Sequence, residues 1–255
     1  MAAMARDEQE VVQRGEAGKQ TIAAASGFLD WTTWQMIDSI LPTGGFAHSY
    51  GLEAAVQAGL VYDGQTLERF AVMTVENAGA LLLPFVYAAS RVREMGVEAW
   101  VVLDCGLHAV MANGVARAAS VGQGKALVRL AGGVFKEIAA EVAAIRGCVM
   151  GKPARAHGHH AVVVGRLLGL LGVDAVTAQR VYLYLTLRDV LSAATRLNLV
   201  GPMEAALLQH RHAQLAERVM GKYANRSVLD AHQIAPVIDT LQGSHTQLFS
   251  RLFCS

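Results

Sequence analysis

The apolar side chains of this chain recur with the period of a helix and almost nowhere with that of a strand, which excludes most fold classes at once. Leu127, Leu130, Ala131, Val134, Phe135, Ile138, Val142 and Ile145 follow the spacing of a core-facing helical stripe. Read as one element, the stripe predicts a central helix of about 26 residues, roughly 39 Å long at 1.5 Å per residue. Trp31, Trp34, Ile37 and Leu41 share a second face, and Leu52, Ala55, Val56, Gly59 and Leu60 a third. Further helices are predicted over 66–94, 97–119, 160–172, 175–197, 202–222 and 229–242. Gly201-Pro202 marks one boundary, because proline at the first helical position gives up no hydrogen bond. Val162, Val163 and Val164 could form a short strand, but one isolated run cannot build a sheet.

Apolar residues make up 53% of the 255 positions and charged ones 17%, so much of the chain must be buried. The length suits one large core. The expected architecture is therefore all-α, a single-domain helical bundle of about nine helices in two layers, spanning 26–255. Residues 1–25 hold Arg6, Asp7, Glu8, Glu10, Arg14, Glu16 and Lys19 with few large apolar side chains, and predict a mobile tail. The uncharged run from Asn77 to Ser90 covers 14 residues and contains Pro84, too short for a membrane helix. A net charge of +1 supplies no field to attract nucleic acid or an acidic membrane. Cys105, Cys148 and Cys254 form no CxxC pair, and the acidic start lacks the basic flank of a targeting peptide. Both fit a reducing, cytoplasmic setting.

The densest unusual segment is Leu41-Pro42-Thr43-Gly44-Gly45-Phe46-Ala47-His48-Ser49-Tyr50-Gly51-Leu52-Glu53, set between two amphipathic helices. Its tail nearly matches the GxSxG elbow of a serine hydrolase, with Ser49 as nucleophile and alanine in the first glycine position. That elbow works at a strand-to-helix turn, which Pro42 and Gly44-Gly45 do not allow. The alternative is a helix-helix turn in which Ser49 caps the next helix and Glu53 lies near the positive end of its dipole. His157, His159 and His160 invite a metal, since imidazole suits nickel, zinc and copper. Arg146, Lys152, Arg155 and Arg166 surround them without any acid between 142 and 173, so they stand only as weak metal candidates. His210 and His212 miss the spacing of a zinc pair and read as solvated. Gly122-Gln123-Gly124-Lys125-Ala126 lacks the first glycine and the hydroxyl of a phosphate loop. Gly132-Gly133, inside the long stripe, predicts a close helix contact. Asp104 and Asp189 read as ion-pair partners of nearby arginines.

Taken together, five blocks resemble the urease accessory protein UreF family. Leu41 to Glu53 is similar to its opening signature. Arg117, Ser120, Gly124 and Leu127 resemble an Arg-x-x-Ser-x-x-x-Gly helix start, and His159, Val162, Val163 and Gly165 a His-x-x-Val-Val-x-Gly segment. Ala194, Arg196, Leu197, Gly201 and Gln209 resemble an Ala-x-Arg-Leu stretch with its glycine and glutamine. His245, Arg251, Leu252, Phe253 and Ser255 resemble the ending. Thr246 and Ala161 depart from the pattern, where glutamate and proline are expected.

The resemblance implies a homodimeric scaffold with no reaction and no cofactor of its own. It would bind UreD (also called UreH) and the GTPase UreG and deliver nickel to apo-urease, the complex handling the nickel and UreG the GTP. It also implies that a C-terminal stretch, 240–255, orders against UreD near the glycine-rich turn. The residues it marks as partner-binding are Pro42, Gly44, Gly45, Phe46, His48, Ser49, Glu53, Arg117, Lys125, Arg196, His245, Arg251 and Phe253. Arg251 and Phe253 would be the anchors of an otherwise exposed end.

Overall fold

A computed structural model describes residues 31–91 and 95–255; the expected tail, 1–25, lies outside them. The chain divides into two compact units, Met1–Asp38 and Ser39–Ser255. The described part of the first holds helix α1 (Trp31–Ile37). The second carries α2 (Leu52–Gln57), α3 (Gly64–Leu81), α4 (Leu83–Ser90), α5 (Val97–Val110), α6 (Gly114–Val134), α7 (Ala139–Met150), α8 (His160–Leu170), α9 (Ala175–Arg196), α10 (Pro202–Arg211), α11 (Ala213–Tyr223) and α12 (Pro236–Ser244). There is no strand among the described residues. The fold is all-α, as the periodicity predicts, with twelve α-helices among the described residues where about nine were expected.

The extra helices come from breaks. Leu82 interrupts the predicted 66–94 element, where Pro84 opens α4 without an N–H to give, and α3 and α4 meet at a bend of 46°. Asn113 accepts from the Val115 and Ala116 amides, starting α6 afresh after α5. The central stripe is not one helix either. It stops at Val134, turns through a 3-10 segment, Lys136–Ile138, and resumes as α7. Gly132 and Gly133, each costing about 1 kcal/mol relative to alanine in a helix, sit just before that break. Leu127, Ala131, Phe135, Ile138, Val142 and Ile145 stay buried across it, while Leu130 is half-buried and Val134 exposed, so burial follows most of the stripe while the backbone does not. His212 divides the last predicted long helix into α10 and α11; it is buried, not solvated, with Nε2 3.3 Å from Glu68 Oε1.

The bundle is built around α8, whose residues His160 to Leu168 are all buried. A helix apolar on every face belongs in the middle, which is where the Val162–Val164 run is placed as helix. It packs against α4, α6 and α9, while α9 also meets α3, α4 and α10. Gly165 permits the close approach of α8 to α4, because a Cβ there would lie 2.5 Å from the Val86 carbonyl oxygen. Gly124 does the same for α6, where a Cβ would stand 2.0 Å from the Gly158 oxygen. That accounts for Gly124 without a phosphate, whereas a Cβ at Gly122 would meet nothing within 4 Å. Gly133 has nothing within 4 Å, so the close helix contact expected at Gly132-Gly133 is absent from the latter.

No single helix among the described residues is long and apolar enough to cross a membrane. The bent α3–α4 pair is apolar enough in length and composition, but buries Leu67, Phe70, Val75, Leu83, Phe85 and Val86 inside the bundle. Gly165→Ala and Gly124→Ala are each expected to cost about 1–3 kcal/mol through forced overpacking. Gly133→Ala should be neutral or stabilising by up to about 1 kcal/mol. Urea denaturation of the three variants checks the contrast.

Candidate functional site

The glycine-rich segment folds as a turn between helices. Gly44 and Gly51 have φ of 80° and 85°, the left-handed region open to glycine. At Gly51 a side chain is excluded twice, since a Cβ would also lie 2.9 Å from the Gln242 backbone nitrogen on α12. A Cβ at Gly45 would meet Asp189 Oδ2 at 2.6 Å. Asp189 pairs with Arg188 at 2.8 Å, the ion pair expected from sequence, and burial raises its carboxyl above the usual range.

The turn holds the end of the chain. Glu53, buried at the start of α2, accepts from Leu252 N–H at 2.6 Å through Oε1. Its Oε2 accepts from Phe253 N–H at 3.1 Å and from His245 Nε2 at 3.0 Å. Ser49 donates its hydroxyl to the Ser255 carbonyl at 2.9 Å, and its amide donates to the same oxygen at 2.7 Å. Cys254 N–H donates to Ala47 O at 2.8 Å, and His48 Nδ1 pairs with Ser255 Oγ at 2.8 Å. Burial, then the nearby His245, lowers the pKa of His48. Arg196 donates to Phe46 O and places its guanidinium 4.4 Å from the Phe253 ring centroid.

Ser49 Oγ also accepts from Glu53 N–H at 3.3 Å, but the N-cap of α2 is Gly51, without a side-chain cap, so Ser49, expected as the cap, supports the first turn from two residues before it. Among the described residues no base is aimed at Ser49, since the neighbouring imidazole goes to Ser255, and the turn joins helices. The serine-hydrolase alternative therefore has no support. The marked residues Gly45, Phe46, His48, Ser49, Glu53, Arg196, His245 and Phe253 come together in this clasp. Pro42 and Arg251 are exposed. Arg117 and Lys125 lie on α6, where Arg117 donates to Met111 O, and make no hydrogen bond to the clasp among the described residues. Phe253 is 4% exposed; it is an anchor within its own chain, not on an open end.

The three neighbouring histidines part company. The His160 ring packs beside Tyr182, centroids 5.7 Å apart, and lines a cavity of about 120 Å³ with His48, Tyr50 and Gln123. His159 turns to Ser120 Oγ and to His108 Nδ1, each at 3.1 Å. His157 stacks on His108, centroids 3.5 Å apart. Asp104, expected in an ion pair, instead accepts three successive amides, from His157, Gly158 and His159, at 2.6, 2.9 and 2.7 Å. Burial lowers both His159 and His160 to about 4. Among the described residues no group of three or more His, Cys, Asp or Glu side chains is arranged to hold a metal ion. Sequence reading missed His108 and gave Asp104 a different role; their spacing of one helical turn was the available signal.

These features define an all-helical protein whose buried acids fasten its irregular segments to the helices. The UreF family model matches residues 61–213. Over 234 residues the chain is 49% identical to urease accessory protein F of Arabidopsis thaliana, covering 92% of this chain and 96% of that protein. The urease accessory protein F of Oryza sativa subsp. indica is 49% identical over 225 residues, 88% and 85% of the two chains. The urease accessory protein UreF of Mycobacterium bovis BCG Pasteur is 32% identical over 220 residues, 86% and 96%. The chain belongs to the UreF family, a family of urease accessory proteins and not of enzymes.

Glu53→Ala should cost about 3–5 kcal/mol, since it leaves buried donors unpaired. The loss should appear in urea denaturation and as faster exchange of the Leu252 and Phe253 amides. The neutral buried histidines set a pH limit. Their folded pKa lies below the ordinary 6.5, so the unfolded chain binds more protons as pH falls. Stability should drop from about pH 6.5 to about pH 4, by roughly 1.4 kcal/mol per pH unit for each fully shifted histidine. In denaturation midpoints followed against pH, His160→Gln should remove one histidine's share of that slope.

Proposed function

We propose that this chain is a scaffold of urease maturation that binds UreD and UreG homologues in a nickel-delivery assembly acting on apo-urease. In this reading it works in the cytoplasm as a homodimer, and the nickel and GTP chemistry belongs to the assembly. The observation that carries the proposal is the outer face of the clasp. Phe249 is 105% exposed and Leu252 54%, on a backbone fastened by Gln57 Nε2 to Ser250 O at 2.9 Å and by Leu252 N–H to Glu53. Large apolar side chains held outward on an ordered backbone cost little entropy to bury in a partner. Arg251, also exposed, adds planar donors.

The tail is thus divided by side. Phe253 holds it in place, while Phe249, Arg251 and Leu252 face outward. Deleting 240–255 would remove half of α12 and strip Glu53 of its partners, confusing folding with binding. The triple variant Phe249→Ala, Arg251→Ala and Leu252→Ala should keep its helical circular dichroism and lose UreD capture by at least about tenfold, as expected when clustered anchors are truncated. Undiminished co-purification with UreD would refute the assignment.

A further inference from the structure

We propose that the cavity between the glycine-rich turn and α6, α8, α9 and α12 is a binding site for a small uncharged primary amide, beyond the scaffold reading and independent of it. Its volume of about 120 Å³ lies a little below the roughly 150 Å³ that accepts a benzene ring, which fits a molecule of about four to six non-hydrogen atoms. Val110 and Ala112 at the end of α5 and Gln233 before α12 line it and are exposed, so they mark its mouth.

Three features distinguish this space from a packing gap. The first is an orphaned acceptor. Gln123, 4% exposed on α6, has an Oε1 with no hydrogen-bond partner, and a buried carbonyl is costly until something donates to it. The second is strain. Tyr50 has φ of 56°, a left-handed backbone that is uncommon for a bulky side chain and is kept where the surroundings over-determine it, as at ligand clamps. The third is a set of unspent polar groups. Among the described residues neither the Tyr50 and Tyr182 hydroxyls nor the His160 ring nitrogens make a hydrogen bond, and all three side chains line the same cavity.

The wall also selects the ligand's chemistry. Burial lowers His160 to about 4 and raises both tyrosine hydroxyls, so near neutral pH these groups offer no charge to an ion. Asp239, the one acid on the described lining, is engaged at Oδ1 by Asn113 Nδ2 at 3.1 Å. An ionic guest would lose its water without gaining a free counter-charge. Gln123 carries a carbonyl and an amino group side by side, and a half-turn of its last torsion exchanges them. A guest carboxamide offers the same pair in reverse: its N–H donates to Oε1 while its carbonyl accepts from Nε2, whichever way Gln123 is turned. The second N–H and the outer lone pair of the guest are left for His160 and the tyrosine hydroxyls. An alcohol has a single oxygen and does not span both ends.

The test titrates acetamide into the nitrogen-labelled full chain, followed in proton–nitrogen spectra. The Gln123 side-chain amide and the His160 imidazole should shift together and saturate at roughly 1–50 mM, the affinity a ligand of so few atoms can reach. Gln123→Leu removes the orphan without opening space, so it should unfold at the same temperature or higher and bind acetamide at least about tenfold more weakly. Acetate and methylammonium, its charged counterparts in size, should each bind at least about tenfold more weakly than acetamide to the wild type. Equal binding of either ion, an unchanged affinity in Gln123→Leu, or no saturable shift up to about 200 mM would overturn the proposal, the last leaving the space to water. If circular dichroism shows Gln123→Leu misfolded, the wild-type preference for acetamide over the two ions decides the matter.

Discussion

A carboxylate taken out of water is tolerable only when its lone pairs are filled, and the Glu53 carboxylate is filled from the far end of the chain. Leu252, Phe253 and His245 all donate to it. The dependence runs both ways: the last residues have no helix of their own to satisfy their amides, and the acid has no local cation. Each would be costly without the other. Around that exchange the surrounding features make sense, including Gly51, which lets α12 approach the turn, and Arg196, which lies over Phe253.

A second buried acid repeats the device. Asp104 gathers three consecutive amides from the segment before α8 and so sets where the histidines of that segment point. In both places a single charge orders a stretch that lacks regular secondary structure by accepting from its backbone. The helical bundle provides the rigid support, and the two acids attach the irregular segments to it. Side chains on those segments, Phe249 and Leu252 in one and His159 in the other, are thereby held in defined positions with little further entropy to lose.

Membership of the UreF family accords with a molecule whose conspicuous residues serve adhesion. Ser49, the one residue that hints at catalysis, uses its hydroxyl to bind the Ser255 carbonyl and to accept the Glu53 amide in the first turn of α2. The clasp is also where most of the marked residues meet. Those outside it, Arg117 and Lys125, share a helix whose other face is committed to α8.

The helical class was legible because periodicity is local: each stripe can be recognised within a few turns of sequence. Helix breaks were less legible. Pro84 and Gly132-Gly133 were visible, yet a continuous stripe of buried residues hid the interruption at Phe135, since burial needs only that the same face return. The resemblance marked Ser49, Glu53, His245 and Phe253 and set the tail near the glycine-rich turn, without showing which of these residues touch.

What the amino-acid order determined by itself was an all-helical chain with a strained glycine turn, because backbone preferences and apolar spacing act between near neighbours. Tertiary structure alone decided that Phe253 turns inward while Phe249 turns out. It also decided that His159 faces His108 while adjacent His160 faces Tyr182, and that His212 is buried. Those outcomes rest on groups far away in the chain, and burial and hydrogen bonding are decided by whichever groups the packed helices bring within a few ångströms.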